Sequence, residues 1–372
     1  MKYFLIAGEA SGDLHASNLI SAIREEERDA SFMFLGGDLM GRAAGTAPLR
    51  HYREMNFMGF TQVLLNLERL RSILKNTRRQ LLKFDPDVVI LVDYAGFNMR
   101  VAKFATRKKI KVFYYISPKV WAWRKRRIRS LRKYTSRIFV IFPFEVDFFR
   151  SKGMEVEYHG NPLVDVTENF SRMVPSRESF LKEHGLDERP VIALLAGSRR
   201  QEIESCLPEM LSAAGAFPEY QFVVAGAPAA DHSVYKTLLE KSETGIVYDA
   251  TYALLSHARA AVVTSGTATL ETALLNVPQV VIYKTGNLTY RIGKLFITFR
   301  FFSLVNLIYG KELVKELLQV NLAERIEKEL DRILNEPGRS LDIEAGYHEI
   351  RKMLGDSGTS QRVARRMIEL MQ

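Results

Sequence analysis

Short runs of apolar residues recur along the chain, separated by segments whose apolar positions follow a helical period. Such nearly continuous apolar runs are typical of parallel strands that are buried on both faces of a sheet. Strands that alternate with helices predict a parallel α/β architecture. The predicted strands are Tyr3–Ala7, Ser31–Leu35, Val88–Val92, Val112–Ile116, Arg137–Ile141, Val191–Leu195, Gln221–Ala225, Gly245–Tyr248, Ala261–Thr264 and Gln279–Tyr283.

This alternation occurs twice, with a polar break from Asn161 to Pro175 that contains two prolines and predicts a linker. A chain of 372 residues is long enough for two domains of ordinary size. We therefore expect two Rossmann-like domains with a cleft between the carboxyl edges of their sheets. The predicted boundaries are 1–165 for the first domain, 166–345 for the second, and 346–372 for C-terminal helices.

Composition narrows the setting and the class of partner. A single cysteine, Cys206, cannot form an internal disulfide, which fits a reducing cytoplasm. No secretory signal and no apolar stretch long enough to span a bilayer are present, so we expect a soluble or peripheral protein. The net charge of +10 suggests an anionic partner: a nucleic acid, a membrane surface or a phosphorylated substrate. Nine basic residues and no acidic one lie between Lys119 and Arg137, so part of this charge is a local patch.

A dense cluster of polar groups, Gly8-Glu9-Ala10-Ser11-Gly12-Asp13-Leu14-His15, follows the first predicted strand and precedes a helix that is predicted from Ala16 to Arg24. Ligands bind at the carboxyl ends of strands in open α/β sheets, so we expect this loop to carry chemistry. Asp93 follows the third predicted strand at the same edge and is a candidate general base. Its position alone favours a turn or helix-capping role somewhat more.

Two strand–loop–helix segments in the second half are suited to bind anions. Gly197-Ser198-Arg199 and Ser265-Gly266-Thr267 each precede a predicted helix, whose first N–H groups attract phosphate, and arginine adds bidentate contacts. Glu271 lies one turn further on, where it can accept hydrogen bonds from a ribose. Ordinary surface arginines and helix caps are the alternative. Two such sites indicate a nucleotide, although no P-loop or dinucleotide fingerprint is present. Asp85-Pro86-Asp87 resembles a metal-binding D-x-D, but a turn that enters a buried strand explains it. No other cluster has metal-ligand spacing, so a required metal is not indicated.

An apolar stripe with flanking basic residues occupies one predicted helix between Phe57 and Lys75. Periodicity alone favours packing in the core, but such a stripe can also lie in a membrane interface. Both tryptophans stand in Ser117–Arg124 beside basic residues, where they could stack nucleic-acid bases, lie at a membrane or line a sugar site. The stripe consists of Phe60, Val63, Leu64, Leu67, Leu70 and Leu74.

These motifs, in this order, resemble those of the lipid-A-disaccharide synthase family. Two of the matching segments, GEASGD and VWAWR, are together highly specific, whereas GSR and SGTATLE occur across related glycosyltransferases. The matches span most of the chain and comprise Gly8–Asp13, Ser117–Arg124, Pro143–Glu145, Gly197–Arg199, Ser265–Glu271 and Glu312–Gln319.

The resemblance implies a GT-B fold and inverting transfer of 2,3-diacylglucosamine from its UDP derivative to 2,3-diacylglucosamine 1-phosphate. The products would be UDP and a β-1′,6-linked disaccharide 1-phosphate, formed without a metal or other cofactor. It also implies a peripheral location on the cytoplasmic face of the inner membrane, an anionic surface, and no nucleic-acid partner. A C-terminal segment, here Lys311 to Gln372, would return to the first domain and could be exchanged in a homodimer.

Carried over by position, the resemblance assigns a role to each candidate residue. The donor would be bound by the second-domain loops, and Glu271 would hold its ribose. Glu9, Ser11 and Asp13 would face the sugars, and Asn98 belongs to the loop that follows Asp93. The acyl chains of the substrates now favour membrane or acyl contact for the apolar stripe. The donor-binding set is Ser198, Arg199, Ser265, Gly266, Thr267, Glu271 and Asn306.

One departure from the family pattern concerns the catalytic base. Many members carry a second aspartate, a proposed catalytic group, three residues after the position of Asp93, where this chain has Gly96. The candidates for the base are therefore Asp93, Glu9, Asp13 and His15. A different UDP-sugar transferase or epimerase of the same fold is the alternative function, and a nucleic-acid-binding module is a more remote one.

Overall fold

The computed structural model describes residues 1–55, 67–118, 126–228, 230–240, 242–284 and 301–372. The chain forms two compact units. Unit 1 contains Met1–Pro162 together with Asp356–Gln372, and unit 2 contains Leu163–Gly355. Each is an α/β unit with its own hydrophobic core.

Unit 1 is built on a parallel sheet of seven described strands in the order β3-β2-β1-β4-β5-β6-β7. The strands are β1 (Lys2–Ala7), β2 (Ser31–Gly36), β3 (Arg50–His51), β4 (Val88–Val92), β5 (Lys111–Tyr115), β6 (Arg137–Val140) and β7 (Glu157–Tyr158). The helices are α1 (Ala10–Glu26), α2 (Asp38–Ala44), α3 (Leu67–Phe84), α4 (Ala95–Arg107), α5 (Arg126–Tyr134) and α6 (Pro143–Arg150), with a 3-10 turn at Tyr52–Glu54.

Unit 2 repeats this design with a sheet of six described strands in the order β10-β9-β8-β11-β12-β13, again parallel throughout. Its strands are β8 (Val191–Leu195), β9 (Gln221–Gly226), β10 (Gly245–Tyr248), β11 (Ala258–Thr264), β12 (Gln279–Tyr283) and β13 (Glu316–Leu318). Its helices are α7 (Pro162–Ser171, whose first residue closes unit 1), α8 (Arg177–His184), α9 (Arg200–Ala214), α10 (His232–Leu239), α11 (Thr251–Ser256), α12 (Ala268–Leu274), α13 (Leu304–Tyr309), α14 (Leu322–Asn335) and α15 (Arg339–Leu354).

The strand order of each sheet contains one point at which the direction of winding reverses. In unit 1 it lies between β1 and β4, and in unit 2 it lies between β8 and β11. At such a point the loops after the two central strands diverge to opposite faces and leave a crevice that binds ligands. The loops at these two points begin at Gly8, Asp93, Ala196 and Ser265, and those after β1, β8 and β11 carry the GEASGD, GSR and SGTATLE motifs.

Each strand predicted from an apolar run is present, with ends that shift by a few residues. Strands β3, β7 and β13 were not predicted, because each has only two or three residues, too few to form an apolar run. The predicted linker is wrong in its first part, since Pro162–Ser171 forms α7. Proline is well suited to the first turn of a helix, where its missing N–H has no partner to lose.

The polar loop after β1 is also shorter than predicted. The sequence places the start of the helix at Ala16, but α1 begins at Ala10, so that only Gly8 and Glu9 form the connection. Four residues of the GEASGD motif therefore lie in the first turn of a helix. Their side chains divide between the buried face of α1 and solvent, rather than sharing one open loop.

The apolar stripe falls only partly within the described residues. Phe60, Val63 and Leu64 lie outside them, as does the side chain of Leu67. Leu70 is partly exposed, whereas Leu74 is buried in the core of unit 1. For Leu74 the expected acyl contact is corrected to core packing, which the helical period alone already favoured. Of the helices in the described ranges, none has the length and apolarity to cross a membrane.

The last helix of the chain, α16 (Thr359–Glu369), belongs to unit 1 and packs against α1. Polar contacts fix it at the edge of the sheet next to β7. Arg366 Nε donates to the Glu157 carboxylate over 2.8 Å, and the Arg362 guanidinium donates to the carbonyl of His159 over 2.9 Å. Exchange of this segment between protomers remains a prediction.

The Glu157–Arg366 pair predicts an acid-sensitive attachment of α16. Burial raises the pKa of Glu157, but the hydrogen bonds of Arg366 and His159 to its carboxylate outweigh burial, so the pKa lies below its ordinary value of 4.5. This stabilisation is present above pH 4.5 and is lost as the pH falls through the lowered pKa. Glu157→Gln should therefore lower the melting temperature at neutral pH, by the equivalent of about 1 kcal/mol or less. It should also flatten the acid side of the profile of melting temperature against pH.

Glu369→Gln is the matched control, because Glu369 pairs with the same arginine from an exposed position. The control should leave the pH profile close to that of the wild type. Identical acid profiles for the wild type and Glu157→Gln would contradict the assignment.

Candidate functional site

In unit 1, the loops after β1 and β4 touch at the point of reversal. A Cβ atom at Gly8 would lie only 2.2 Å from Cγ of Tyr94, so glycine is required for this approach. The Tyr94 hydroxyl donates to the carbonyl of Met55. Burial and the nearby charge of Glu9 raise the pKa of Tyr94 to about 12, which keeps the phenol neutral. Tyr94 thus joins three segments of unit 1 at this edge.

Asp93 is held in an unusual backbone conformation. Asp93 and Tyr94 both have φ of +43°, a left-handed conformation that non-glycine residues rarely adopt. The Asp93 amide donates to the carbonyls of Tyr115 and Ile116, and its own carbonyl accepts hydrogen bonds from the Tyr114 hydroxyl and Asn98 Nδ2. Both polar groups of this peptide unit are therefore bonded, and the side chain stays partly exposed at the sheet edge. Strain held in this way is frequent at functional sites.

The candidate bases of unit 1 divide by exposure. Glu9 and Asp93 are partly exposed, and Ser11 is exposed on the first turn of α1. These three side chains are accessible to a substrate at the carboxyl edge of the sheet. The remaining candidates, Asp13 and His15, are buried.

Asp13 has a structural role in place of the predicted catalytic one. Its carboxylate accepts hydrogen bonds from the amides of Gly37, Leu39 and Met40, at distances of 2.7, 3.1 and 3.2 Å. These amides belong to the start of α2, whose first N–H groups have no partners within the helix. With both oxygens engaged and 3% of the residue exposed, Asp13 anchors α2 to α1 and is not available as a general base.

His15 is likewise unsuited to the role of base. It lies on the buried face of α1 with 4% of its surface exposed. Burial lowers the pKa of His15 to about 4, so the ring is neutral near pH 7. A neutral imidazole can accept a proton in principle, but this one is enclosed by protein rather than by substrate.

Two residues of α4 complete the loop after β4. Asn98 is fully buried, and its Nδ2 donates to the carbonyls of Val92 and Asp93, so it shapes the loop instead of contacting an acceptor. A Cβ atom at Gly96 would meet nothing within 4 Å. Packing therefore leaves room for the aspartate that many family members carry at this position.

The PFE motif contributes a residue that sequence reasoning did not single out. Glu145 is buried, and its carboxylate accepts hydrogen bonds from the Ser117 hydroxyl and from the amides of Ile141 and Phe142. It thereby fixes the start of the SPKVWAWR motif to the end of β6. The two tryptophans of that motif, Trp121 and Trp123, lie outside the described residues.

In unit 2, the loop after β8 exposes an arginine, Arg199, directly before the first residue of α9. Gly197 has φ of +105°, and a Cβ atom there would lie 2.7 Å from Cβ of Glu202. The Glu202 carboxylate accepts from the Ser198 amide at 3.2 Å and from Arg199 at 3.3 Å, which are long contacts. Arg199 is half exposed, with 54% of its side chain accessible. Its guanidinium can therefore turn toward an anion at the start of α9.

The loop after β11 is tied firmly to its neighbours. The Ser265 amide donates to the carbonyl of Ile282, and its hydroxyl donates to the carbonyl of Phe302, both over 2.9 Å. A phosphate needs hydrogen-bond donors, and both donors of Ser265 are engaged within the protein. The expected phosphate contact of Ser265 is therefore corrected to a structural one. Gly266 and Thr267, which follow it, are partly exposed.

Glu271 lies on α12 where a nucleotide is expected. The Tyr252 hydroxyl donates to its carboxylate over 2.8 Å. Burial raises the pKa of Glu271, and this hydrogen bond opposes the shift. Tyr252 in turn lines a cavity whose walls include Phe170, Phe180 and Asp249. Glu271 is thus positioned by a neighbour that no sequence motif indicated.

The side chain of Asn306 is engaged entirely within the protein. Its Nδ2 donates to the carbonyl of Val314 and to Glu316, and its Oδ1 accepts from the amides of Leu313 and Val314. All four hydrogen-bonding positions of the amide group are used, and the residue is fully buried. The expected nucleotide contact of Asn306 is corrected to the bracing of a chain segment.

No group of three or more His, Cys, Asp or Glu side chains that could hold a metal ion occurs within the described parts of the chain.

Comparison with known proteins shows what these two units belong to. The profile of the family described as lipid-A-disaccharide synthetase matches residues 3–365. The lipid-A-disaccharide synthase of Syntrophus aciditrophicus is 38% identical over 369 residues, which cover 97% of this chain and 95% of that protein. This chain belongs to the lipid-A-disaccharide synthase family. The synthase of Geobacter metallireducens is 37% identical and covers 100% of this chain and 97% of its own.

Solved structures confirm the predicted fold class. The UDP-GlcNAc 2-epimerase of Neisseria meningitidis, bound to UDP-GlcNAc, superposes with a TM-score of 0.71 at 14% identity, covering 99% of this chain and 100% of its own. The epimerase of Methanocaldococcus jannaschii, in complex with UDP-GlcNAc and UDP, gives 0.67 at 15% identity, with coverage of 99% and 100%. At such low identity the likeness shows the fold alone, two Rossmann-like α/β domains of the GT-B type.

Proposed function

We propose that this protein is an inverting glycosyltransferase of lipid A biosynthesis. It condenses UDP-2,3-diacylglucosamine with 2,3-diacylglucosamine 1-phosphate and forms UDP and the β-1′,6-linked disaccharide 1-phosphate. The observation that carries the proposal is the family match over nearly the whole chain. The structure supports it because three of the six family segments, GEASGD, GSR and SGTATLE, follow strands at the points of strand reversal, where ligands of such folds bind.

In this proposal, unit 2 binds the donor. Arg199 contacts the diphosphate, Gly266 and Thr267 offer polar contacts to it, and Glu271 accepts hydrogen bonds from the ribose. Negative charge grows on the diphosphate as the bond from the anomeric carbon to the UDP oxygen breaks. A positive guanidinium already in place stabilises that charge with little reorganisation.

Unit 1 provides the general base. The acceptor 6-hydroxyl attacks the anomeric carbon with inversion, and its proton passes to a carboxylate. Asp93 is the base, because its side chain is accessible while its peptide unit is fixed on both sides. Glu9 lies close enough to this loop for its charge to raise the pKa of Tyr94, and in the proposal it contributes to acceptor binding.

We also propose that unit 1 associates with the anionic surface of the inner membrane, from which acylated substrates reach the enzyme. Arg71, Lys75 and Arg79 are exposed on α3, and Arg129 and Lys133 are exposed on α5. Basic residues close to an anionic bilayer each contribute about 1 kcal/mol of attraction. The proposed location is the cytoplasmic face, with assembly as a homodimer as a further expectation.

The transfer reaction is tested with purified protein and both acylated sugars. We expect UDP release and disaccharide formation that are equal with and without a chelator, and no turnover of UDP-N-acetylglucosamine alone. Arg199→Ala should lower transfer by about 100-fold. Arg200→Ala, a neighbouring exposed arginine paired with Glu204, is the matched control and should retain activity. Epimerisation of UDP-N-acetylglucosamine, or full activity of Arg199→Ala, would refute the respective assignment.

Asp93 and Asp13, the two aspartates among the candidate bases, should respond differently to replacement by asparagine. Asp93→Asn removes the base and should lower kcat by about 100-fold or more, with a nearly unchanged melting temperature. Asp13→Asn keeps one acceptor oxygen where three amides need two, so it should lower the free energy of unfolding by about 1–3 kcal/mol and leave kcat close to normal. Thermal melts and steady-state kinetics measure both. If Asp13→Asn instead lowered kcat and Asp93→Asn instead lowered the melting temperature, the two proposed roles would have to be exchanged.

Membrane association is tested by sedimentation with vesicles that contain anionic lipid. Arg71→Glu with Lys75→Glu should lower binding to these vesicles by about tenfold or more, since two attractive charges become repulsive. Lys182→Glu with Lys236→Glu makes the same charge change at exposed positions of unit 2 and serves as control. Equal binding of both double variants and the wild type would reject the proposed surface.

A further inference from the structure

Glu316, the first residue of β13, gathers an unusual number of hydrogen bonds. Its Oε2 accepts from the amide of Phe302 at 2.9 Å. Its Oε1 accepts from the amide and the hydroxyl of Ser303, at 2.9 and 2.7 Å, and from Asn306 Nδ2 at 2.8 Å. One carboxylate thus holds the chain that leads into α13 at four points.

The position of Glu316 is itself fixed by the sheet. Strand β13 pairs with β12 in parallel, and the Val281 amide donates to the carbonyl of Lys315 at 2.9 Å. Asn306 adds a second tie, because it bonds the backbone of Leu313 and Val314 on the approach to β13. The Glu316 carboxylate is therefore attached to a strand of the sheet, and from there it reaches the amide of Phe302.

The chain that Glu316 holds is the one that contacts the loop after β11. The Phe302 peptide is bonded from two directions: its amide donates to Glu316, and its carbonyl accepts from the Ser265 hydroxyl at 2.9 Å. Ser265 is also bonded through its amide to Ile282 on β12. The contacts form a continuous path from Glu316 through Phe302 to Ser265.

We propose that Glu316 is a positioning residue for donor binding. Acting through Phe302 and Ser265, it sets the geometry of the Ser265–Thr267 loop, so that Gly266 and Thr267 meet the nucleoside diphosphate. The inference rests on the proposed function, in which this loop binds the UDP portion of the donor. In this proposal Asn306 contributes as well, because its side chain holds Glu316 and the Phe302 segment in place relative to each other.

Glu316→Gln interrupts this path at a single point. A glutamine can keep its carbonyl oxygen toward Ser303 and Asn306, but its NH₂ group cannot accept the Phe302 amide. The Phe302 peptide then loses its tie to the sheet while the rest of the bracing is kept. Glu312→Gln makes the same charge change in the same segment and removes only an exposed pair with Lys315, so it is the matched control.

The test is UDP binding by calorimetry, together with steady-state kinetics, at a temperature well below the melting point of every variant. For Glu316→Gln we expect the Kd for UDP and the KM for the donor to rise about tenfold. The KM for the acceptor should not change. Glu312→Gln should match the wild type. Ser265→Ala should weaken UDP binding similarly, and the double variant should be no weaker than the poorer single variant because both interrupt one path.

A lowered melting temperature with the Kd for UDP within twofold of the wild type would overturn the proposal, since Glu316 would then be structural only. Ser265→Ala decides the same question should Glu316→Gln fail to fold, because it leaves Glu316 in place. Wild-type protein that neither binds UDP nor transfers the sugar would instead contradict the proposed function. The two failures are therefore distinguishable.

Discussion

The reversal of winding within each parallel sheet is the constraint on which the sites depend. Between β1 and β4, and again between β8 and β11, neighbouring strands end side by side while their helices leave toward opposite faces. A crevice at the carboxyl edge is the geometric consequence. Gly8 allows the two loops of unit 1 to approach closely, because any side chain there would overlap the ring of Tyr94.

Polar residues of the motifs divide into two groups because buried polar atoms must be bonded. Asp13, Asn98 and Asn306 are buried and are bonded largely to backbone groups, so they shape loops and helix ends. Glu9, Asp93 and Arg199 keep exposed surface, and in the proposed function they are the side chains that contact the substrates. A polar motif residue can therefore support a candidate site from within the protein instead of forming its surface.

The sequence was sufficient to predict the main strands of both sheets and the sheet edges at which the candidate sites lie. Apolar runs such as Val88–Val92 and Val191–Leu195 predicted buried strands because both faces of a parallel sheet exclude water. The short strand that contains Glu316 was not predicted, since three residues are too few to show a periodicity. The structural roles of Asp13 and Asn306 were equally hidden. Most of their partners are backbone groups, which carry no sequence signal. For Asp13 these partners are amides 24 to 27 residues away.

The strained end of β4 bears on how a single carboxylate can serve as base in this chain. Asp93, Tyr94 and Ile116 all have positive φ, and such conformations cost about 1–3 kcal/mol each unless neighbouring contacts determine them. Here they do: the amide of Ile116 donates to the carbonyl of Phe139, and both groups of the Asp93 peptide are bonded. These contacts come from strands β4 to β6 and α4, and none of them involves residue 96. The backbone of Asp93 is therefore fixed by the sheet and α4, and in the proposed function an aspartate in place of Gly96 would add a second carboxylate beside a base whose backbone is already held.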